Sequence, residues 1–473
     1  MTRRASGRHW FGWSLAALAA VGGGCGTSNE ARAGAAGAAG RDAAGAAGAA
    51  GAAAAAGRDA AAPDGDAGRG GGDASFGGAA GRDAAAPDGD ADARVPEGTP
   101  VGDFGAVGDG VTDDTAALAS ALASGDDLVF APGHRYLVRG PLRIDADGEQ
   151  RLSGEGATIV TDGVIDRLFV VDKPSGTLRC RDLDVDGERR IGGAWLLKSA
   201  FDFDGCDVRA LYSESSNAIA YQLDVARPMG DATISNAVCD SIESKANGVI
   251  GDGPGAARCV YVRWQTTAPV TVRLTGSTMG NVWGDDGDVI HIAQENDVYD
   301  APTRVIVKDS ELFYGSRRVV KNFSSNTYWE NVTFRSVEPG HPKLGGAVSA
   351  GMVVTSVHSG DNVSNRHVYR GCTFIGSARE RRAIISAVDD VVFDACKFVG
   401  ATFAIYRSGG GVCFENNQVD SSFEMYDYTT EPPLFLGPIV EVNTTPAGDY
   451  VNFSATPPAP SGSFECPRVV AEP

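Results

Sequence analysis

Asp103-Phe-Gly-Ala-Val-Gly-Asp-Gly-Val-Thr-Asp-Asp-Thr-Ala-Ala-Leu118, continued by Leu128-Val-Phe-Ala-Pro-Gly133, is the stretch on which the reading of the fold turns. Gly105, Gly108 and Gly110 mark a tight, irregular loop, since glycine alone enters positive φ at little cost. Thr112, Asp113 or Asp114 can cap a helix, and an acidic first turn suits the helix dipole. Ala117, Leu118, Ala121 and Leu122 then share one face at helical spacing. A strand follows, stops at Pro132-Gly133, and resumes at Tyr136-Leu137-Val138.

Downstream, short apolar phrases alternate with glycine, asparagine and aspartate turns, and helical periodicity does not return. Leu178-Arg-Cys-Arg-Asp-Leu-Asp-Val-Asp-Gly187, Val270-Thr-Val-Arg-Leu-Thr-Gly-Ser277, Val305-Ile-Val-Lys-Asp-Ser-Glu-Leu-Phe313 and Val391-Val-Phe-Asp-Ala-Cys-Lys-Phe398 share this shape. Their steps of about 20 to 40 residues suit solenoid coils with loops. The opening stretch, Asp-Phe-Gly-Ala-x-Gly-Asp-Gly-x-x-Asp-Asp-Thr with a short helix and a strand ending in Pro-Gly, resembles the N-terminal cap of the pectate lyase superfamily, of the rhamnogalacturonase- and epimerase-like kind. The resemblance runs from Asp103 to Pro132. It implies an all-β chain folded as a single-stranded right-handed parallel β-helix behind a short capping helix. It leaves activity open, because hydrolases, lyases, epimerases and non-catalytic binders share that cap.

The chain has 473 residues and a formal net charge of -20. That charge argues against nucleic acid as a partner, and an acidic polymer would need a locally basic groove. Residues 1–24 read as a signal peptide, with Arg3, Arg4 and Arg8 ahead of an apolar run too short to span a bilayer. Gly22-Gly-Gly-Cys25 resembles a bacterial lipobox, with glycine at Gly22 where leucine is usual. This implies lipidation at Cys25 and an outer-membrane or cell-surface lipoprotein; ordinary secretion is the alternative. Residues 25–98 are Gly/Ala/Asp-rich and repeat Gly57 to Ala67 as Gly81 to Ala91. They have little to bury and read as a disordered tether. Residues 99–473 read as the β-helix, with a Pro-rich tail from about 430.

Beyond Cys25 there are eight cysteines: Cys180, Cys206, Cys239, Cys259, Cys372, Cys396, Cys413 and Cys466. None form a Cys-x-x-Cys pair, so neither a zinc site nor a redox motif is expected. Export favours disulfides, paired in sequential order. Cys180 with Cys206 and Cys372 with Cys396 are each about one coil apart. Buried free thiols are the alternative.

In such a fold, chemistry falls to side chains that point outward on alternate strand positions. Trp283-Gly-Asp285-Asp286-Gly-Asp288-Val-Ile-His291 puts three carboxylates and an imidazole within seven residues. Crowded carboxylates move each other's pKa apart, and His291 suits acid or base work. The phrase looks like segments of β-helix glycosidases, except at Asp288, where those carry an apolar residue. The Gly-His-Gly and Arg-Ile-Lys motifs of polygalacturonases are absent. Trp283 can stack on a sugar or fill the core. A Gly-Asp turn, or a structural calcium site, is the other reading. Ser316-Arg317-Arg318-Val-Val-Lys321-Asn322 forms a second cluster. Lys321 suits proton abstraction beside a uronate carboxylate, with Arg317 and Arg318 holding that carboxylate; a solvated strand face is the alternative. The segment from Lys321 to Phe334 vaguely resembles an alginate-lyase-type coil. The two clusters lie about one coil apart. The run Arg379-Glu-Arg-Arg382, near Arg370, reads as solvated charge. No metal-ligand spacing appears, and calcium is the one candidate cofactor.

The sequence therefore supports an exported carbohydrate-active enzyme that cleaves a polysaccharide, with a uronate polymer as the candidate, by hydrolysis or β-elimination. A non-catalytic glycan-binding surface protein of the same fold is the alternative.

Overall fold

The computed structural model describes residues 97–245, 255–266, 268–294, 304–344, 351–355, 364–378, 382–386, 388–407, 412–419, 425–427, 439–442 and 445–446. The leader, Cys25 and almost all of the tether lie outside the described residues, as do the side chains of Arg379 to Arg382.

The cap forms because its own side chains satisfy its backbone. The Asp109 carboxylate accepts from the N–H groups of Val111 (2.8 Å) and Thr112 (2.7 Å). Buried Asp114 turns back and accepts from Val107 N–H (2.6 Å) and Gly108 N–H (3.1 Å). Gly108 has φ 69°, and a Cβ there would strike the Tyr136 ring. The helix spans Thr115–Ser124 and stops at Gly125, φ 78°. Asp114 occupies the N-cap position but makes no capping bond. Asp113 instead accepts from Thr115 N–H at 3.0 Å. The acidic residues thus precede the first turn, which itself holds none. Leu118, Ala121 and Leu122 face the core as expected, while Ala117 is only half-buried.

The described residues after the cap form a right-handed parallel β-helix. One sheet stacks eleven parallel strands, from Leu142–Ile144 and Ile165–Val171 through to Thr402–Arg407 and Met425–Asp427. Successive starts lie 20 residues apart (Arg382, Thr402) to 38 apart (Ala218, Ala256). The remaining strands form the other walls of the coils. Parallel pairing continues into the tail: Ile439–Val442 and Thr445–Pro446 extend the ladder, so coil structure runs past residue 430. Aromatic rings stack from coil to coil inside. Tyr369 stacks on Phe393 at 4.8 Å, and Phe374 on Phe398 at 4.8 Å.

Two disulfides form, Cys180–Cys206 and Cys239–Cys259. They fit folding in an oxidising, extracellular setting. The expected Cys372–Cys396 bridge does not form, and both are buried free thiols. Each sulfur is turned to main-chain carbonyls, Cys372 toward Trp329 O (3.5 Å) and Cys396 toward Tyr369 O (3.2 Å). The side chains of Cys413 and Cys466 lie outside the described residues.

One departure from simple alternation shapes the functional face. In five successive strands of the eleven-stranded sheet, two adjacent residues both enter the core: Ala194-Trp195, Ala220-Tyr221, Cys259-Val260, Val289-Ile290 and Val319-Val320. The pairing steps over the first of each pair, for example from Asp288↔Arg318 to Ile290↔Val320. At the last of these, Val319 N–H and Val320 N–H both donate to Met352 O. This is a bulge inherited from coil to coil. Residues three apart across it therefore face outward together.

Candidate functional site

Three consecutive strands build the site: Ala256–Trp264, Asp286–Gln294 and Arg318–Phe323. Register aligns Arg258 with Asp288 and Arg318 in one row. The next outward row is Tyr261, His291 and Lys321. The bulge is what lets both rows face the same way. Asp288 and His291, separated by two core residues, lie on one face with His291 Nδ1 3.9 Å from Asp288 Oδ2.

Arg318 is the hub. Its Nε donates to Asp288 Oδ1 at 2.6 Å, and its Nη2 donates to Asp288 Oδ2 at 3.1 Å and to Asp286 Oδ1. Around Asp286 the other cations stand farther off: Arg317 Nε at 3.4 Å, Arg258 Nη2 at 3.6 Å and Lys321 Nζ at 3.9 Å. Asp286 Oδ2 and Arg317 Nη1 are buried without a hydrogen-bond partner. Aromatic rings line the cluster. The Arg258 guanidinium lies 4.5 Å from the Tyr261 ring centroid, and Lys321 Nζ lies 5.0 Å from that of Phe323. The whole cluster is buried, with Lys321 the most exposed at 5%.

That environment separates the titrations. Burial alone would raise Asp286, but Arg318, Lys321, Arg258 and Arg317 outweigh it and hold the carboxyl below its ordinary range. Burial raises Asp288 despite Arg318, and the Asp286 charge adds to the rise. The first proton taken up by the pair therefore goes to Asp288. Lys321 is pushed down by burial and by the Arg318 charge. Arg317 is lowered by the same two causes.

The family model for rhamnogalacturonase A/epimerase, pectate lyase-like, matches residues 99–177. With the stacked parallel ladder, that decides the identification. The chain carries a pectate-lyase-like parallel β-helix domain. The adhesin PfbA of Streptococcus pneumoniae is similar in structure at 14% identity and TM-score 0.48, covering 75% of this chain and 99% of that one. The A-module of an Azotobacter vinelandii mannuronan C-5 epimerase follows at 12% identity and TM-score 0.42, covering 74% and 96%. An α-1,3-glucanase of Streptomyces thermodiastaticus stands at 15% and 0.40, covering 76% and 71%. No curated protein matches the chain in sequence.

Within this pectate-lyase-like domain the structure brings together Asp286, Asp288, His291, Arg317, Arg318 and Lys321. It separates Asp285, which sits half-buried on the turn before the strand. The carboxylate pair on the shared guanidinium is Asp286 with Asp288, not Asp285 with Asp286, because residues two apart on a strand share a face. Trp283 is buried on a neighbouring wall and stacks on His341 at 4.3 Å with rings 5° from parallel. Arg370 is ion-paired to Asp394 at 3.1 Å. Among the described residues, no group of three His, Cys, Asp or Glu side chains comes together as metal ligands. Arg258 and Tyr261 are members that sequence reasoning missed. Their signal was present: Arg258-Cys-Val-Tyr261, Asp288-Val-Ile-His291 and Arg318-Val-Val-Lys321 begin at intervals of 30 residues.

Proposed function

We propose that this protein is an exported enzyme acting on an acidic extracellular polysaccharide at the face made by Arg258, Asp286, Asp288, His291, Arg317, Arg318 and Lys321. The observation that carries this reading is the divergence of pKa values within one cluster: Asp286 low, Asp288 high and Lys321 low. Groups driven apart in this way take opposite acid and base roles near neutrality. Lys321 makes no close ion pair and is the base, removing the proton beside a uronate carboxylate. Arg317, with an unpartnered Nη1, holds that carboxylate and offsets the charge that develops on it. Asp288, whose carboxyl burial raises, is the group that passes a proton to the leaving oxygen. Elimination is favoured over hydrolysis, since both carboxylates are engaged by Arg318 and neither is left as a separate nucleophile.

Lipidation at Cys25 and the 25–98 tether hold the domain at the cell surface in this reading. Calcium enters only as an assay variable. Burial of the whole cluster favours a second reading, a non-catalytic glycan binder in which the ions tie coils together.

The test is a combined ultraviolet and reducing-end assay of the full chain on polygalacturonate, alginate and neutral polymers, with and without calcium. Elimination yields an unsaturated, ultraviolet-absorbing product, and Lys321→Met should abolish it. New reducing ends without absorbance would replace elimination by hydrolysis. Binding without any product would favour the binder.

A further inference from the structure

The charged face depends on one corner of the coil, where the turn ahead of Asp286 meets the turn ahead of Arg318. Asp286 opens its strand, and Arg318 opens the next. Ser316 stands at that corner, fully buried. Its hydroxyl donates to Gly284 O at 2.6 Å and accepts from Gly284 N–H at 3.2 Å. One side chain thus engages both main-chain groups of a residue 32 positions earlier. The next residue, Arg317, donates its N–H to Gly287 O at 3.0 Å. Ser316-Arg317 therefore grips the backbone on both sides of Asp286, two residues before it and one after. The N–H of Asp286 itself goes the other way, to Gly255 O at 3.1 Å.

The sequence at this corner is shaped to the hydroxyl. A Cβ at Gly287 would lie 2.2 Å from Ser316 Oγ, and one at Gly284 would lie 2.3 Å from Gly255 O. Only glycine lets the backbone approach so closely. The groups that face Asp286 are Arg258, Arg317, Arg318 and Lys321, with Asp288 on the same guanidinium as Asp286. Charges this close and this buried interact strongly, so a small drift of the turn would redistribute them.

We propose that Ser316 is a positioning residue for the site. By clamping Gly284, its hydroxyl keeps the Asp286 carboxylate seated against Arg317 and Arg318. The consequence for turnover rests on the polysaccharide reading above, whereas the seating of the carboxylate does not.

The fold supplies a matched control. Ser199, also buried, holds Lys173 in the same manner, accepting from its N–H at 2.6 Å and donating to its carbonyl at 3.1 Å. It follows the strand Ile191–Leu197, which contributes nothing to the cluster.

The experiment compares denaturant unfolding of full-length wild type, Ser316→Ala and Ser199→Ala from pH 7 to pH 3. Each variant loses two equivalent hydrogen bonds, so each should be less stable than wild type at pH 7. With Asp286 drawn off its cations, the Asp286/Asp288 pair takes up protons at a higher pH than in wild type. The native variant then binds protons first, so the Ser316→Ala deficit should shrink as pH falls. Each unit by which that uptake rises closes the gap about tenfold in the unfolding equilibrium constant. The Ser199→Ala deficit should stay constant. On a polymer that wild type converts, Ser316→Ala should lower kcat about tenfold or more with KM little changed. A Ser316→Ala deficit that is absent or as constant as that of Ser199→Ala would make the serine ordinary packing and overturn the proposal, and so would an unchanged kcat. If Ser316→Ala does not fold, Ser316→Cys, which keeps the volume with a weaker donor and acceptor, is read by the same criteria. A wild type without product would overturn the polysaccharide reading, and the unfolding profiles would still decide the role of Ser316.

Discussion

The strand Arg318–Phe323 has two sides that are equally buried and chemically opposite. Inward, Asn322 Nδ2 donates to Thr327 Oγ1 at 3.0 Å, and Trp329 Nε1 donates to the same oxygen at 3.1 Å. That oxygen's own proton therefore goes to His367 Nδ1, 2.8 Å away, which assigns the imidazole as neutral with its proton on Nε2. Burial drives His367 down to about 3, so neutrality persists across physiological pH. Outward, Lys321 stands 3.9 Å from its nearest carboxylate, and Asp286 Oδ2 and Arg317 Nη1 have no hydrogen bond. The inner network is neutral and closed. The outer cluster is charged and incompletely satisfied. Burial is common to both, so satisfaction is what distinguishes a structural polar group from one held ready for a partner.

The largest break in this contrast should come from Arg318→Met. Two buried carboxylates would then face each other without their shared guanidinium. Loss of one partner from a buried ion cluster costs about 3–5 kcal/mol. Denaturant unfolding at neutral pH should show that loss, with partial recovery in acid as the Asp286/Asp288 pair takes up a proton. An unchanged midpoint would mean that the cluster contributes nothing to the fold.

Removing the Cys239–Cys259 bridge should rank next. It closes a 20-residue separation, worth about 3 kcal/mol. Cys259 is the inward bulge residue beside outward Arg258, so its loss should also loosen the site. Cys372→Ala, at a free thiol, should cost clearly less under the same denaturant titration.

The two sides of the strand then separate directly. Asn322→Leu leaves buried partners unpaired and should cost about 1–3 kcal/mol. Lys321→Met should change stability by less than about 1 kcal/mol, since it removes no hydrogen bond, while any activity disappears. Equal losses from both would dissolve the distinction.

The last contrast is in pH dependence, read between pH 7 and pH 5, where only part of each shift is expressed. His367 has a folded value near 3, against 6.5 unperturbed. The unfolded state binds that proton first, so stability falls as pH drops from about 6.5 toward 3. Asp184 is raised to about 6 by burial and by the Asp207 charge. There the native state binds the proton first, so stability rises as pH falls through 6 toward 3.8. Asp184→Asn should remove that opposing gain and steepen the decline in melting temperature between pH 7 and pH 5.

The cap shows what was legible and why. Asp109, Asp113 and Asp114 bond to backbone groups no more than seven residues away, so local sequence alone specifies the loop and helix. The adjacency of the acidic and basic clusters was also readable, because strands one coil apart in a solenoid must pair. What eluded reading was the facing of residues within each strand. Simple alternation puts Asp288 and His291 on opposite faces, and only the bulge reunites them. Asp285 is set apart from Asp286 and Asp288 because the strand begins only at Asp286. Cys372 and Cys396 had the right spacing for a bridge, yet the side-chain directions that turn each sulfur to a carbonyl are set by packing.

The sequence by itself thus determined the class of fold, the capped start and the chemical inventory of the site, because these depend on local bonds and on a repeating pattern. Tertiary structure decided which charges share one face, which of them lose their ordinary pKa and which cysteines join. Each of those depends on burial and on register between coils about 30 residues apart, and neither quantity exists until the coils are stacked.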